Sequence, residues 1–498
     1  MREGWVRVSP VFILGAVALY FALLLGIAGW TSRRADTAGY FLGNRNSPWL
    51  VVAFGLIGDS LSGVTYISVP GQVGTAQCSY LQVVLGYVAG YVIIAEILLP
   101  LYYRLQLTSI YSYLGQRFGR GAQRTGSAFF LLSRLLGAGA RLYLAANVFQ
   151  AFVFDDLHVP FALTVSVIIG LILVYTLRGG IKTLVWTDTF QSAFLVLGVV
   201  LSIALIAREM ALGPSGLWHA VWESPLSRVF FFDDWRSPAY FWKQFLSGAA
   251  IAVVMTGLDQ NAMQKNLSCR SLGDARKNIY AFTGVMVVVN AAFLALGVLL
   301  FRFATAQGLP VPAQTDHLFP TLALHHLGPL AALVFIIGLT AATFNSADSV
   351  LTTLTTSFCI DFLAFGSASD RSPGSETRIR RAVHLVFAVL LLGVILAFKR
   401  FNNGAVITLV LDLAGYTYGP LLGLFVVGLF TRLHPRGNAV PVVCILSPLI
   451  CWQLSAHSAE WFHGYRFGFE LLIFNGALTA AGLALLAAFP DHRRNPAS

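Results

Sequence analysis

The chain has 498 residues, 57% of them hydrophobic and only 11% charged, with a mean hydropathy of +0.72. Soluble globular proteins carry about 25% charged residues, so a soluble enzyme or binding module is excluded. The net charge of +11 does not indicate nucleic acid, because its placement along the chain follows membrane topology, as set out below.

Apolar runs of about 20 residues, each able to cross ~30 Å of hydrocarbon, recur from end to end. Thirteen spans are predicted: 10–30, 49–71, 80–103, 125–153, 160–177, 183–207, 240–263, 279–302, 328–361, 382–398, 405–430, 438–455 and 468–489. The chain therefore reads as one all-α polytopic transmembrane domain with no soluble domain. Span 1 has too long an apolar run for a signal peptide and no small-x-small cleavage site after it. Span 2 contains "GLIGDSLSGVTYISVPGQVG", where Gly58 and Gly63 bracket Asp59, Ser60 and Ser62, and Pro70-Gly71 follow. Polar groups at membrane depth are costly and usually line a pathway or a site. Backbone leaves the helix there only where it is buried in protein or faces a cavity. Span 2 is thus predicted to be a broken helix, whose free carbonyls suit a small hard cation and whose free N–H groups suit an anion. Close helix packing through small residues explains the glycines but not the carboxylate and hydroxyls.

Span 4, "SRLLGAGARLYLAAN", places Arg134 and Arg141 on one helical face, roughly 14 and 24 Å along a helix that starts near residue 125. A guanidinium cannot shed its proton, and it binds carboxylates through two parallel hydrogen bonds. The expected solute therefore carries a carboxylate or another anionic group, recognised by one of these arginines. A structural ion pair, for example with Glu96, or snorkelling is the alternative. Span 6 places Asp188, Gln191 and Ser192 together, and span 7 reads as more weakly interrupted. In span 9, Ala342, Asn345, Ser346, Ser349, Thr353 and Thr356 share one face, with Asp348 on the adjacent one. Hydroxyls here can bond their own i−4 carbonyls, but beside a carboxylate and an amide a cation site is expected. Span 11, "DLAGYTYGPLLG", reads as a further Gly/Pro-interrupted stretch.

Alternate loops hold 21 of the 33 basic residues, Lys265 among them. By the positive-inside rule the C-terminus is cytoplasmic and the N-terminus outside, in a plasma or bacterial inner membrane. The loop at 208–239 suits a short surface helix, and 362–381 reads as a solvated linker. The five cysteines are scattered without zinc spacing and read as buried small side chains. No P-loop, H-E-x-x-H or G-x-S-x-G occurs, which leaves an ion gradient as the energy source.

The segments "GDSLSGVTYISVPG" (58–71), "LPLYYRLQLTSIYSYLGQRFG" (99–119), "GGIKTLVWTD" (179–188), "ATFNSADS" (342–349) and "GYTYGPLLGLFVVGLF" (415–430) resemble the sodium:solute symporter family. The resemblance covers roughly residues 40–435. It implies a LeuT-type 5+5 inverted repeat, with core repeats at about 49–207 and 240–430, one accessory span before them and two after, at 438–489. It also implies a Na+-coupled symporter of a small polar organic solute, not an enzyme, embedded in the lipid bilayer without nucleic acid or an obligate protein partner. A transporter-like nutrient receptor and an intramembrane enzyme are the alternative readings.

The family's shared sodium site maps onto the carbonyls of Gly58, Leu61 and Ala342 and the side chains of Asn345 and Ser346. Asn345 stands where a hydroxyl is usual. A second site, for sodium or a proton, maps onto Asp188 with Asp348 and Ser349, although many relatives carry a hydroxyl at the position of Asp348. The solute is expected beside the break, against Ser60, Ser62 and Thr65, with Gln82, Arg134, Arg141, Tyr416 and Tyr418 as further candidates. The sugar branch has Glu-Gln where this chain has Val64-Thr65, which disfavours a simple hexose. Sialic acid carriers of the family use an arginine on this core helix.

Overall fold

The computed structural model describes residues 10–31, 45–176, 181–365, 373–401, 406–435 and 439–488. Within them the regular secondary structure is helical, with one isolated bridge between Ser47 and Cys269. The principal helices in chain order are α1 (Pro10–Thr31), α2 (Trp49–Ser60), α3 (Gly63–Ala76), α4 (Tyr80–Arg104), α5 (Arg120–Phe149), α6 (Phe161–Thr176) and α7 (Ile181–Glu209). They continue as α8 (Phe241–Gly257), α9 (Gln260–Leu267), α10 (Leu272–Ala306), α11 (Gly328–Ser357), α12 (Pro373–Phe401), α13 (Val406–Phe430), α14 (Val440–Ala456) and α15 (Leu471–Ala488). Among the described residues, nine helices are long and apolar enough to cross a membrane, or eleven if the bent pairs α2/α3 and α8/α9 each count as one. Phe161–Val174 and Val440–Ala456 are shorter apolar helices.

The centre of the bundle is α11, in which every residue from Gly338 to Ser357 is buried. Its oxygen ladder therefore faces protein on all sides and not lipid. Helices α1, α2, α3, α5, α7 and α9 pack around it. Close approach depends on missing side chains: a Cβ on Gly86 of α4 would lie 2.0 Å from the Phe245 carbonyl oxygen of α8. The expected surface helix forms at Pro214–Trp222, and all five cysteines are buried. Of the stretch read as a linker, 366–372 lie outside the described residues, as do Gly179 and Gly180 of the span 6 segment.

Two expectations about helix continuity are corrected. Span 7 is not weakly interrupted: α8 and α9 bend by 64°, more than the 55° between α2 and α3. A π-helical turn over Val253–Gly257 precedes the bend, and Asp259 caps α9 by accepting from the amides of Asn261 and Ala262. Span 11, by contrast, is one continuous helix that carries Pro420 in its interior. Proline has no N–H to offer the carbonyl four residues earlier, here that of Tyr416. The Asn475 side-chain amide of α15 donates to that oxygen at 3.0 Å and to the Gly415 carbonyl at 2.9 Å. The orphaned acceptor is thereby satisfied and the helix need not break.

Candidate functional site

The break between α2 and α3 lies at Leu61 (φ −98°, ψ 79°) and Ser62 (φ −81°, ψ −179°). The Leu61 amide still bonds Ile57, but no backbone donor among the described residues closes on the carbonyls of Gly58 or Leu61. Facing Gly58 is Asn345 of α11. A Cβ on Gly58 would sit 2.2 Å from Asn345 Nδ2 and 2.6 Å from Ser192 Oγ, so only glycine allows this contact. The Asn345 amide donates to the Asp188 carbonyl at 3.2 Å, and its Oδ1 is buried without a donor. Ser346 Oγ is 3.3 Å from the Ala342 carbonyl, a weak bond. Neutral oxygens of this type and count suit a small monovalent cation. Ala342, Asn345 and Ser346 follow one another along the α11 face across from the break.

Beside this group lies a cluster the sequence reading did not contain. Lys265 of α9, counted above as a cytoplasmic loop residue, is fully buried. Its ammonium donates to Asp59, to Asp188 and, at 3.0 Å, to Ser349 Oγ, which itself donates to Asp188 at 3.1 Å. Lys265 thus joins the expected group of Asp188, Asp348 and Ser349. Ser349 does meet Asp188, while Asp348 Oδ1 accepts from the Ser349 amide at 2.6 Å and stands outside the Lys265 ion pairs. The predicted span 7 ends at residue 263, whereas α9 continues to Leu267 and all eight residues of "QNAMQKNL" are buried.

An open cavity of about 830 Å³, mouth included, adjoins the first break. Ser60, Ser62 and Thr65 line it, as expected, together with Asp59, Tyr80, Tyr87, Tyr91, Thr256 and Asn290. Both arginines of α5 also reach it, in different circumstances. Arg134 is buried and ion-paired to Asp259, and its Nη2 donates to the Met255 carbonyl at 3.3 Å. Tyr418 also donates to Asp259, at 2.9 Å, and stands behind the cavity wall. Arg141 is half-buried and has no ion pair or hydrogen bond among the described residues. Glu96 is not its partner; that carboxylate pairs with Arg276 at 2.8 Å and accepts from Tyr280 at 2.8 Å.

Two candidates lie elsewhere. Gln82 is buried near the 208–239 segment, where it bonds the Ala239 carbonyl, the Gln244 side chain and the Phe231 amide. Tyr416 is turned toward the accessory helix α15 through its backbone and does not line the cavity.

The second break differs from the first. Tyr102 and Tyr111 donate their hydroxyls to the carbonyls of Gly257 and Leu258, both at 2.9 Å. Gln260 bonds the Thr108 carbonyl and the Ile110 amide. The acceptors that a broken helix frees are here bonded by one donor from the end of α4, Tyr102, and one from the segment between α4 and α5, Tyr111.

Comparison with known proteins accords with this architecture. Residues 40–440 match the model of the sodium:solute symporter family. The sodium/sialic acid symporter NanT of Aliivibrio fischeri is 24% identical over 481 residues, 93% of this chain and 92% of that protein. The sodium-coupled monocarboxylate transporter 1 of Homo sapiens is 26% identical over 442 residues, 86% of this chain and 68% of the relative. Among solved structures, the substrate-bound outward-open state of a Na+-coupled sialic acid symporter superimposes with a TM-score of 0.82 at 21% identity, covering 96% of this chain and 98% of the other. At that identity the likeness establishes the fold. With the family model spanning most of its length, the chain belongs to the sodium:solute symporter family and is a multi-pass, sodium-coupled membrane transporter, not an enzyme.

Proposed function

We propose that this transporter imports a small organic carboxylate together with sodium by alternating access, and that Arg141 anchors the carboxylate. The observation that carries the reading is the unequal state of the two arginines. Arg134 is held by Asp259, whereas Arg141 presents an unpaired guanidinium to the cavity. A fixed cation without a counter-ion in a partly desolvated site attracts an anion strongly. Hydroxyls of Ser60, Ser62, Thr65 and Thr256, the phenols of Tyr80 and Tyr87, and the donor-free Asn290 Oδ1 surround it. They suit the hydroxyl and amide groups of a polyfunctional acid. The named activities of the bacterial and human relatives, on sialic acid and on monocarboxylates, agree with an anionic cargo.

On this reading sodium binds at the Gly58 and Leu61 carbonyls with Ala342, Asn345 and Ser346. The two bent pairs and the two shorter apolar helices, taken as crossings, support the reading of thirteen spans. The break at the first helix of each half supports a 5+5 inverted repeat. The excess of basic residues orients the N-terminus outside and the C-terminus in the cytoplasm of a plasma or inner membrane, and moving Lys265 out of the tally leaves that excess standing.

The test is uptake into proteoliposomes with N-acetylneuraminate and a short monocarboxylate as probes, each beside its uncharged amide. Replacing Arg141 by Gln should raise KM for the acid by roughly 10–100-fold, the worth of a charge-assisted hydrogen-bond pair, and should abolish the preference over the amide. Unaltered discrimination between acid and amide would refute the role of Arg141.

A further inference from the structure

The resemblance assigns Asp188 and Ser349 to a second cation, yet both already hold the ammonium of Lys265. We infer that Lys265 is a tethered, non-transported cation that takes the place of a second coupling ion, so that this protein binds one sodium per chain. The inference rests on the sodium site proposed above and adds its count.

Three observations support it. The ammonium is fully buried and contacts three groups that could ligate a second sodium there: the Asp188 carboxylate, the Ser349 hydroxyl and the Asp59 carboxylate. A second sodium at Asp188 and Ser349 would have to displace it from both, and Asp259 is not open to receive it, being engaged by Arg134 and Tyr418. Next, the lysine is held in place from behind. Helix α9 is buried on all sides, is capped by Asp259, and is fixed at Gln260 by the backbone of Thr108 and Ile110. Its head thereby ties α9 to α2, α7 and α11 at once.

The third observation is the charge left over. Two carboxylates facing one ammonium leave a single negative charge in the cluster, and Asp59 Oδ1 and Asp188 Oδ1 are buried without donors. The neighbouring oxygens of Gly58, Leu61, Ala342, Asn345 and Ser346 carry no formal charge. They are directly connected to the cluster: Asp59 follows Gly58 in the chain, and Asn345 bonds the Asp188 carbonyl. One sodium among the neutral oxygens therefore balances the charges of Lys265, Asp59 and Asp188, and a second placed at Asp188 would be repelled by the ammonium at the low dielectric of a buried site.

The experiment counts radioactive sodium bound to the purified wild-type protein, with no organic solute present, and follows its concentration dependence. One sodium per chain with a hyperbolic isotherm is expected. Lys265→Arg should keep one, and Lys265→Ala should rise to two with a sigmoidal isotherm. Because Lys265→Ala strands two buried carboxylates, Lys265→Ala/Asp59→Asn serves as a better-tolerated second variant. It retains a single negative charge and should bind one. Two sodium ions per wild-type chain would overturn the inference while leaving the sodium-coupled reading intact. A well-folded Lys265→Ala that still binds one hyperbolically would overturn it too. A wild-type count of zero would remove the sodium site itself and both proposals with it.

Discussion

Ser346→Ala tests the proposed sodium site with little collateral change. The hydroxyl is buried, and its one hydrogen bond is the weak 3.3 Å contact to the Ala342 carbonyl. Truncating it removes one oxygen from a set of five and leaves a space the size of a single atom. If that oxygen contributes about 1.4 kcal/mol to cation binding, near the lower bound for a hydrogen-bonding group facing a charge, affinity falls about tenfold. A ligand stabilises the native state by RT ln(1 + [L]/Kd), so at 100 times the wild-type Kd the wild type gains about 2.7 kcal/mol and the variant about 1.4. The sodium-induced rise in melting temperature should therefore be roughly halved. The assay is thermal unfolding of the purified protein in sodium chloride against choline chloride at constant ionic strength, so that screening is equal in both. The basal melting temperature in choline should shift little. Equal sodium-induced shifts in wild type and variant would refute Ser346 as a ligand.

Two further outcomes follow from the packing. Asp259→Asn keeps an oxygen to cap α9 but leaves the buried Arg134 guanidinium without its counter-ion, which should cost about 3–5 kcal/mol; a loss below about 1 kcal/mol in chemical unfolding would show that the pair is not what holds Arg134 in place. Asn475→Leu removes both donors to the Gly415 and Tyr416 carbonyls beside Pro420 and should cost roughly 1–3 kcal/mol for each acceptor left unpaired, read as a lowered melting temperature with the sodium-induced shift unchanged.

The first break was legible in the sequence because its signals are local: two glycines, a carboxylate and two hydroxyls within six residues of an apolar run. The oxygen face of α11 was legible for the same reason, since helical spacing alone aligns it. Lys265 was not. Its segment is polar, and hydropathy reports a segment's average character but not whether neighbouring helices enclose it. Asp59 and Asp188 are its partners across separations of 206 and 77 residues. The same limit explains Pro420, whose break-forming tendency is cancelled by an asparagine far along the chain. It also explains Arg134, which pairs with Asp259 across 125 residues. In each case the missing information was a tertiary partner for a buried polar group, and a span-by-span reading has no access to such partners.

The two breaks also divide the work of the site. At Leu61 the carbonyls freed by the bend stay open, and the groups around them are neutral oxygens and a cavity. At Leu258 the freed carbonyls are closed by Tyr102 and Tyr111, and the capping position is filled by an aspartate that also anchors Arg134. A break whose carbonyls are already hydrogen-bonded by protein is less suited to coordinating a cargo ion. What it can do is change the direction of the chain, and the 64° turn carries α9 inward until Lys265 meets Asp59 one residue from the first break. The sodium proposed at Gly58 and the position of α9 are thus linked through a single ammonium. Arg134 and Arg141 lie seven residues apart on the same α5 face, and the former is fixed to the second break through Asp259. The anion expected at Arg141 and the cation expected at Gly58 therefore lie beside two groups of buried charges, Arg134 with Asp259 and Lys265 with Asp59 and Asp188, which α9 and its cap bring together. In such an arrangement each ligand alters the field felt by the other, and any coupling free energy between them must be reciprocal.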